Sequence, residues 1–454
     1  MNLTLENVGA IKHAKVAFNG LTVIAGENDT GKSTVGKLMF AVVKAFSRYQ
    51  QDLNVDKKKN ILAAIEKIYF KIRRLYDFRR FPELKKEFHP PGFFGEIEKL
   101  LPPNNYDDIK LLLEKKRQVL KNAQPEHNGR PHTDLDSPIE SLDALCQLIT
   151  QPEDKKALIK WALTKALVSE FHFELTPKHS SIGSLMSFFE ENNHIFEFKI
   201  EDNQVTAFER FDEIFFNDVT FVETPLFLQM YDVIHSASTL LEILNEDDKG
   251  ERLERLSKPK ISLHIKDLMS KLAHSQYFSL TFFEGESFFL EFLKNISQLV
   301  HGKFYFDKKL NDFLFHKATS QDETIRLKLV NTASGIKSFG ILQLLVESNF
   351  LDERSLLIID EPETHLHPQW QVEYAKLIVM LVKNNIPVLL SSHSPYMIQA
   401  LKVWSEKMKI EERVNYYLAE KSEHDDSAEI VEVTEDLNRI FKKLSDPLQE
   451  LVWS

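Results

Sequence analysis

Three short stretches of the chain carry residue types that handle phosphate esters. Gly26-Glu27-Asn28-Asp29-Thr30-Gly31-Lys32-Ser33 fits the phosphate-loop pattern G-x-x-x-x-G-K-[ST] at every fixed position. Glycines at both ends permit backbone angles that a Cβ would resist. The loop can then aim consecutive N–H groups at phosphate oxygens, aided by the positive end of a following helix. Lys32 would neutralise the β- and γ-phosphates and Ser33 would hold Mg²⁺ through its hydroxyl, with Gly26, Asn28, Gly31 and Thr34 completing the nucleotide contacts. A chance match in an ordinary loop is the plainer alternative.

The second stretch is Ser355-Leu356-Leu357-Ile358-Ile359-Asp360-Glu361, an apolar run ending in two acids. It reads as a buried parallel strand delivering carboxylates at its C-terminal end. Asp360 would bind the Mg²⁺ shell, and Glu361 would orient or deprotonate an attacking water. The third is Val388-Leu389-Leu390-Ser391-Ser392-His393-Ser394, another apolar strand ending in a polar cluster. A lone His393 would read first as a strand-end histidine with one backbone hydrogen bond. His365 and His367 lie two apart near acids, but nothing else in the chain supplies ligands at zinc spacing.

The elements around these stretches fit the task. Leu21–Ala25 reads as a buried strand before the loop. Val35, Leu38, Met39, Val42, Val43 and Phe46 give helical spacing after it. Asn331-Thr332-Ala333-Ser334-Gly335-Ile336-Lys337-Ser338 precedes an apolar helix from Phe339 to Val346. In this order the parts resemble the ABC-type ATPase heads of the SMC, RecF and overcoming-lysogenization-defect group. The likeness covers residues 1–50 and about 320–400.

The resemblance implies an α/β fold: an ABC-type P-loop ATPase head with a mixed sheet, interrupted by a large, mainly helical insertion. It implies ATP and Mg²⁺ as ligands. Ser334 and Gly335 match the signature that reaches a partner's γ-phosphate across a dimer. Asp360 and Glu361 match the metal-binding and catalytic acids, Pro362–Pro368 matches the D-loop, and His393 matches the switch histidine. Ile336 and Lys337 depart from the transporter signature, which favours the SMC and RecF side. Asp218–Pro225 resembles the strand and turn of the glutamine loop, yet has no glutamine at the turn.

Composition sets limits. The chain has 454 residues, enough for two or three domains, and 43% apolar residues, enough for a large core. Its single cysteine, Cys146, forbids an internal disulfide and a C-x-x-C hook. No basic-then-apolar leader opens the chain and no apolar run approaches about twenty residues. A cytoplasmic location with no membrane contact is the expectation. The net charge of −11 argues against broad nucleic-acid binding. Lys57–Lys59, Lys71, Arg73, Arg74, Arg79, Arg80, Lys85 and Lys86 form a basic stretch interleaved with Tyr69, Phe70, Tyr76, Phe78 and Phe81. A solvated helix face with the aromatics packed inward is favoured over a nucleic-acid surface.

The expected organisation is a first core half over 1–50, a helical insertion over 51–193, a strand meander over 194–225, a second helical part over 226–300, a second core half over 301–420 and an acidic segment over 421–454. The meander is expected as Ile195–Ile200, Val205–Phe208, Glu213–Phe216 and Val219–Glu223, and strands return at Phe304–Phe306, Phe313–His316 and Ile325–Val330. No sustained heptads announce a coiled-coil arm.

Stand-alone heads of this form resemble the ATPase subunits of the Septu, PARIS and retron-linked antiphage systems. That likeness implies a head-to-head dimer or higher oligomer around ATP. It also implies a separate effector, such as a Toprim or HNH nuclease, with DNA or a phage protein as candidate triggers. A RecF-like repair ATPase acting on DNA, and an ATP-locked scaffold with little turnover, are the competing readings.

Overall fold

Strands covered on both faces read as unbroken apolar runs, and four such runs form the centre of the fold. The computed structural model describes residues 1–101, 106–123, 136–150, 155–172, 174, 183–190, 193–202, 204–210, 214–239, 260–274, 287–318, 323–422 and 427–453. The first elements are β1 (Asn2–Val8), β2 (Ile11–Ala17), β3 (Leu21–Gly26), α1 (Lys32–Leu75), α2 (Pro82–Glu87), α3 (Pro90–Glu98), α4 (Tyr106–Asn122), α5 (Asp136–Thr150) and α6 (Lys155–Phe171). Then come β4 (Ser184–Glu190), β5 (Asn193–Glu201), β6 (Gln204–Arg210), β7 (Asp218–Val222), α7 (Tyr231–Ser236), β8 (Ser238–Thr239), β9 (Lys260–Ile261), α8 (Leu263–Ala273) and α9 (Ser287–Val300). The last are β10 (Gly302–Asp307), β11 (Asp312–Ala318), β12 (Thr324–Lys328), α10 (Ser334–Glu347), β13 (Ser355–Asp360), α11 (Pro368–Lys383), β14 (Val388–Ser392), α12 (Pro395–Met408), β15 (Val414–Lys421), β16 (Ala428–Glu432) and α13 (Asn438–Trp453).

The chain divides into two units, residues 1–47 with 159–454, and residues 48–158. The larger unit holds an eleven-stranded mixed sheet in the order β6-β5-β4-β1-β2-β16-β15-β3-β14-β13-β7. The five strands β15, β3, β14, β13 and β7 are mutually parallel. Their C-terminal ends therefore meet along one edge, the place where a parallel sheet presents its ligand-binding loops. The outer strands β1, β2, β4, β5 and β6 pair antiparallel as a meander. Leu21, Val23, Leu357, Ile359, Val388 and Leu390 face a common core with Phe339, Leu342, Tyr374 and Ile378 of the covering helices.

The smaller unit is helical. Ile61, Ile65, Ile68 and Ile72, at helical spacing, bury against Phe88, Phe93, Ile97, Ile109, Leu113 and Leu145. The aromatics of the basic stretch mostly serve this core. Tyr76 is buried, Tyr69, Phe78 and Phe81 pack against the core, and Phe70 is exposed.

Several elements differ from the expected ones. Helix α1 runs unbroken to Leu75, because no glycine or proline falls between Gly36 and Pro82 to stop it. The meander begins with β4 at Ser184, before the expected start at 194. No strand forms at residues 214–216, and 213 lies outside the described residues. There the backbone is tied to a loop instead: Arg354 Nε donates to the Phe215 carbonyl and Asn217 N to the Arg354 carbonyl. The strand expected over Ile325–Val330 ends at Lys328 and gives way to a 3₁₀ turn over Leu329–Asn331. The sheet also extends past 420, since β16 sits between β15 and β2. The acidic Glu423, Asp425 and Asp426 lie outside the described residues.

A buried ionic seam joins α1, β7 and α8. Lys44 Nζ lies 2.6 Å from Asp218 Oδ1 and 2.8 Å from Asp267 Oδ1. Lys271 Nζ lies 2.6 Å from Asp218 Oδ2 and also donates to the Val219 carbonyl and to Thr220 Oγ1. Burial alone would raise the Asp218 pKa, but Lys271 and Lys44 outweigh it and hold the carboxyl below its usual range. Removing Lys271 leaves two acids to share the single cation Lys44. Lys271→Ala is expected to lower stability by about 3–5 kcal/mol in denaturant titration, whereas Lys303→Ala, half exposed in its pair with Glu347, changes it by less than about 1 kcal/mol.

Candidate nucleotide site

The loop between β3 and α1 is shaped by its glycines. Gly26 has φ +153° and Gly31 φ +82°. A Cβ on Gly26 would strike the Ala419 carbonyl, and one on Gly31 would come within 2.5 Å of the Ile11 side chain. Neither position tolerates a larger residue without displacing backbone or core. Between them Thr30 is buried, its hydroxyl donating to the Glu27 carbonyl at 2.9 Å, while Asn28 is exposed. Thr34 packs beside Gly9 of the β1–β2 turn.

Lys32 is the first residue of α1 and only 5% exposed. Its Nζ donates to the Glu27 carbonyl at 2.5 Å and lies 3.9 Å from Glu361 Oε1. Burial pulls its pKa down, while Glu361, Asp360, Glu363 and Glu27 push it back up. Asp360 closes β13 and accepts a hydrogen bond from Ser391 Oγ on the neighbouring β14. Burial raises its pKa, opposed by hydrogen bonds from Ser391 and Ser33, and the nearby Glu361 and Glu223 raise it further. Ser33 and Asp360 are thus within hydrogen-bond reach of each other.

Glu361 has φ +45°, a left-handed conformation that costs energy in a residue with a Cβ. The neighbouring strand holds it there, since its N–H reaches the Ser391 carbonyl at 3.1 Å and Ser391 Oγ at 3.2 Å. His393 Nδ1 lies 3.5 Å from Glu361 Oε1. One more carboxylate organises this corner. Glu363 is buried, and its Oε1 accepts from Ser392 Oγ at 2.8 Å, His393 N at 2.7 Å and Ser394 N at 3.2 Å. Burial pushes its pKa up, against those hydrogen bonds. Ser394 Oγ in turn donates to Gln371 Oε1 at 2.6 Å and caps α12. The turn carrying His393 is therefore fastened to the turn after Glu361.

A cavity of about 290 Å³ opens beside these groups, lined by Ser33, Glu223, Ser338, Asp360, Glu361 and Thr364 among others. Ser334 and Gly335 begin α10 one turn before Ser338, and they are not among the lining residues. Gly335 is buried against the His365 carbonyl. His367 caps α11, its Nδ1 accepting from Gln369 N at 3.3 Å. Among the described residues no group of three His, Cys, Asp or Glu is gathered to hold a metal alone. Ser33 and Asp360 nonetheless offer the oxygen donors that Mg²⁺ prefers, and Mg²⁺ commonly takes one or two protein oxygens plus substrate phosphates.

A parallel sheet edge bearing a phosphate loop, an Asp-Glu strand and a histidine-tipped strand defines a P-loop nucleotide-hydrolase head of the ABC-like fold. Residues 1–398 match the family described as the AAA ATPase domain, and the chain belongs to that family. A 55-residue stretch is 38% identical to the Septu protein PtuA of Bacillus thuringiensis, covering 12% of this chain and 13% of that protein. The chain thus spans about an eighth of that relative's length. Similar solved structures include the SMC head domain from Thermotoga maritima, at 10% identity and TM-score 0.37 over 95% of this chain and 98% of that one. Another is the SmcHead bound to the C-winged helix domain of ScpA, at 10% identity and TM-score 0.40 over 96% and 98%. Among the described residues no helix is long and apolar enough to cross a membrane.

Glu363 carries no motif of its own beyond its place in the D-loop, and its spacing from His393 hides their contact. Ser391 and Ser392 show in the sequence only as a polar strand end. Glu363→Ala would leave Ser392 Oγ and the His393 N–H without this acceptor, while the Ser394 N–H keeps its bond to Ser392 Oγ at 3.0 Å. It is expected to lower stability by about 3 kcal/mol and turnover by more than about tenfold, with Glu363→Gln milder in both, as thermal melts and phosphate release would show.

Proposed function

We propose that this chain is a Mg²⁺-dependent ATPase whose heads close in pairs around ATP to control a separate effector in antiphage defence. The observation that carries the catalytic part is the junction of Lys32, Ser33, Asp360, Glu361 and His393 at one sheet edge. The loop N–H groups and Lys32 bind the triphosphate. Ser33 and Asp360 would hold Mg²⁺, which when bound neutralises charge on the β- and γ-phosphates. Glu361 accepts a proton from water as its oxygen bonds the γ-phosphorus and the bond to the ADP oxygen breaks. His393, fixed through Glu363, faces the same carboxylate and senses whether the γ-phosphate is present.

Two features support pairing. Ser334 opens α10 half exposed and outside its own chain's cavity. Val330, just before Ser334 in sequence, is 68% exposed, apolar surface that leads into that helix end. A second copy of this chain would cover both and bring Ser334 to the first copy's γ-phosphate. Hydrolysis would then remove the contacts that favour the closed pair. The 55-residue likeness to the Septu protein PtuA supports the defence setting.

Light scattering with ATP and Mg²⁺ tests the reading. Glu361→Gln should hydrolyse at least about a hundredfold more slowly and accumulate as a dimer. Lys32→Ala should bind no nucleotide and stay monomeric, and Ser334→Arg should bind ATP yet stay monomeric. A Glu361→Gln chain that stays monomeric at saturating ATP would overturn the pairing.

A further inference from the structure

Glu223 follows β7 and lines the cavity beside Ser33 and Asp360, within the segment that resembles a glutamine loop but lacks its glutamine. What holds it is unusual. Its Oε2 lies 3.2 Å from Nε2 of His264, an imidazole only 1% exposed. Nδ1 of the same ring lies 2.6 Å from Oε2 of Glu170. Glu170 is itself buried, and its Oε1 accepts the His264 backbone N–H at 3.0 Å. So one carboxylate of α6 binds both the first turn of α8 and the ring that α8 carries. Phe221 and Phe40 pack against the ring, with centroids 4.7 Å and 5.9 Å away, and leave it little freedom to turn. Both ring nitrogens face carboxylates, which is the doubly protonated arrangement. Burial pulls the His264 pKa down, but the hydrogen bonds to Glu170 and Glu223 outweigh it and raise it to about 9.

Stability alone does not account for this construction. A buried charged triad seldom improves on apolar packing of equal volume. Its outer end emerges in the cavity lined by Ser33 and Asp360, the proposed holders of the divalent cation. There Glu223 stands near enough to Asp360 to raise the latter's pKa. Its other oxygen, Oε1, is 3.7 Å from Lys37, one turn along α1 from Ser33. Carboxylates lining one cavity gain from a cation among them, and groups that orient such a carboxylate tune the affinity for that cation.

We propose that Glu170 and His264 are positioning residues for Glu223, and that this carboxylate sets the cavity's affinity for its divalent cation by facing the cation's water shell. The idea rests on the ATPase reading above, and the test separates the two. A fluorescent ATP analogue is titrated into the full-length chain, first in EDTA and then with increasing Mg²⁺, in a Glu361→Gln background that removes turnover. His264→Gln and Glu223→Gln should each raise the Mg²⁺ concentration for half-maximal tightening by about tenfold. Affinity in EDTA should stay within about twofold. The double variant should be no worse than Glu223→Gln alone, because His264 acts through Glu223. Thermal melts identify any variant that does not fold. Should His264→Gln not fold, Glu223→Gln, whose side chain is part exposed, still decides. Unchanged Mg²⁺ dependence in Glu223→Gln, or independent effects that multiply in the double variant, would overturn the proposal. A wild-type chain that binds no ATP analogue would sink the ATPase reading instead.

Discussion

Negative charge converges at the C-terminal edge of five parallel strands, and the surrounding fold is arranged to tolerate it. Asp360, Glu361, Glu363 and Glu223 approach one another there, with Lys32 as the buried cation among them. Burial raises the Asp360 and Glu363 pKa values, so the corner resists holding every carboxylate charged. A divalent cation held by Ser33 and Asp360 would relieve that strain, because it would add positive charge among the acids. The neutral hydrogen-bond donors at the edge do the remaining work. Ser391 serves Asp360 and the Glu361 N–H, and Ser392 serves Glu363. Two adjacent serines on β14 thereby satisfy two successive turns of the β13 loop.

Much of this corner is visible in the sequence because its parts are local. A strand, a glycine turn and a helix follow one another within a few residues, so the spacing of Gly26, Gly31, Lys32 and Ser33 determines their geometry. Asp360 and His393 are legible for the same reason, each at the end of an apolar run that must be a buried strand. The alignment of those runs in one sheet comes from crossover connections that short-range pattern does not describe. Glu170, His264 and Glu223 show the limit. They are separated by 94 and 41 residues, and each alone reads as an ordinary helix or strand-end residue. Their relation exists only after α6, α8 and β7 pack. The continuity of α1 was legible in principle from the lack of glycine and proline, but the mostly polar run from Ser47 to Asn60 reads as a boundary.

Buried polar seams divide the labour between stability and function. The Lys44, Asp218, Asp267 and Lys271 cluster joins the phosphate-loop helix to β7 at the strand's N-terminal end. The His264 triad joins the same strand at its C-terminal end, one to two turns along α8. Asp267 and Lys271 follow His264 at helical spacing, so a single polar stripe on α8 makes both connections. An apolar stripe could have packed as well but would have left β7 free to slide by a residue, which would turn Glu223 away from the cavity. Ionic pairing fixes the register.

The placement of α10 bears on the proposed pairing of two heads. From Gly335 through Val346 the helix is almost wholly buried, packed on the core by Phe339, Leu342 and Leu345. Only its first turn reaches the surface. Helix N-termini carry unpaired N–H groups and a partial positive charge, which suit a phosphate. Ser338, one turn in, lines the chain's own cavity from the side, whereas Ser334 does not. A rigid helix cannot swing its end into that cavity without unpacking Phe339 from Trp370 and Tyr374. In the proposed pairing, a phosphate bound by Ser334 would therefore arrive from outside the chain, carried by a second head bearing its own nucleotide.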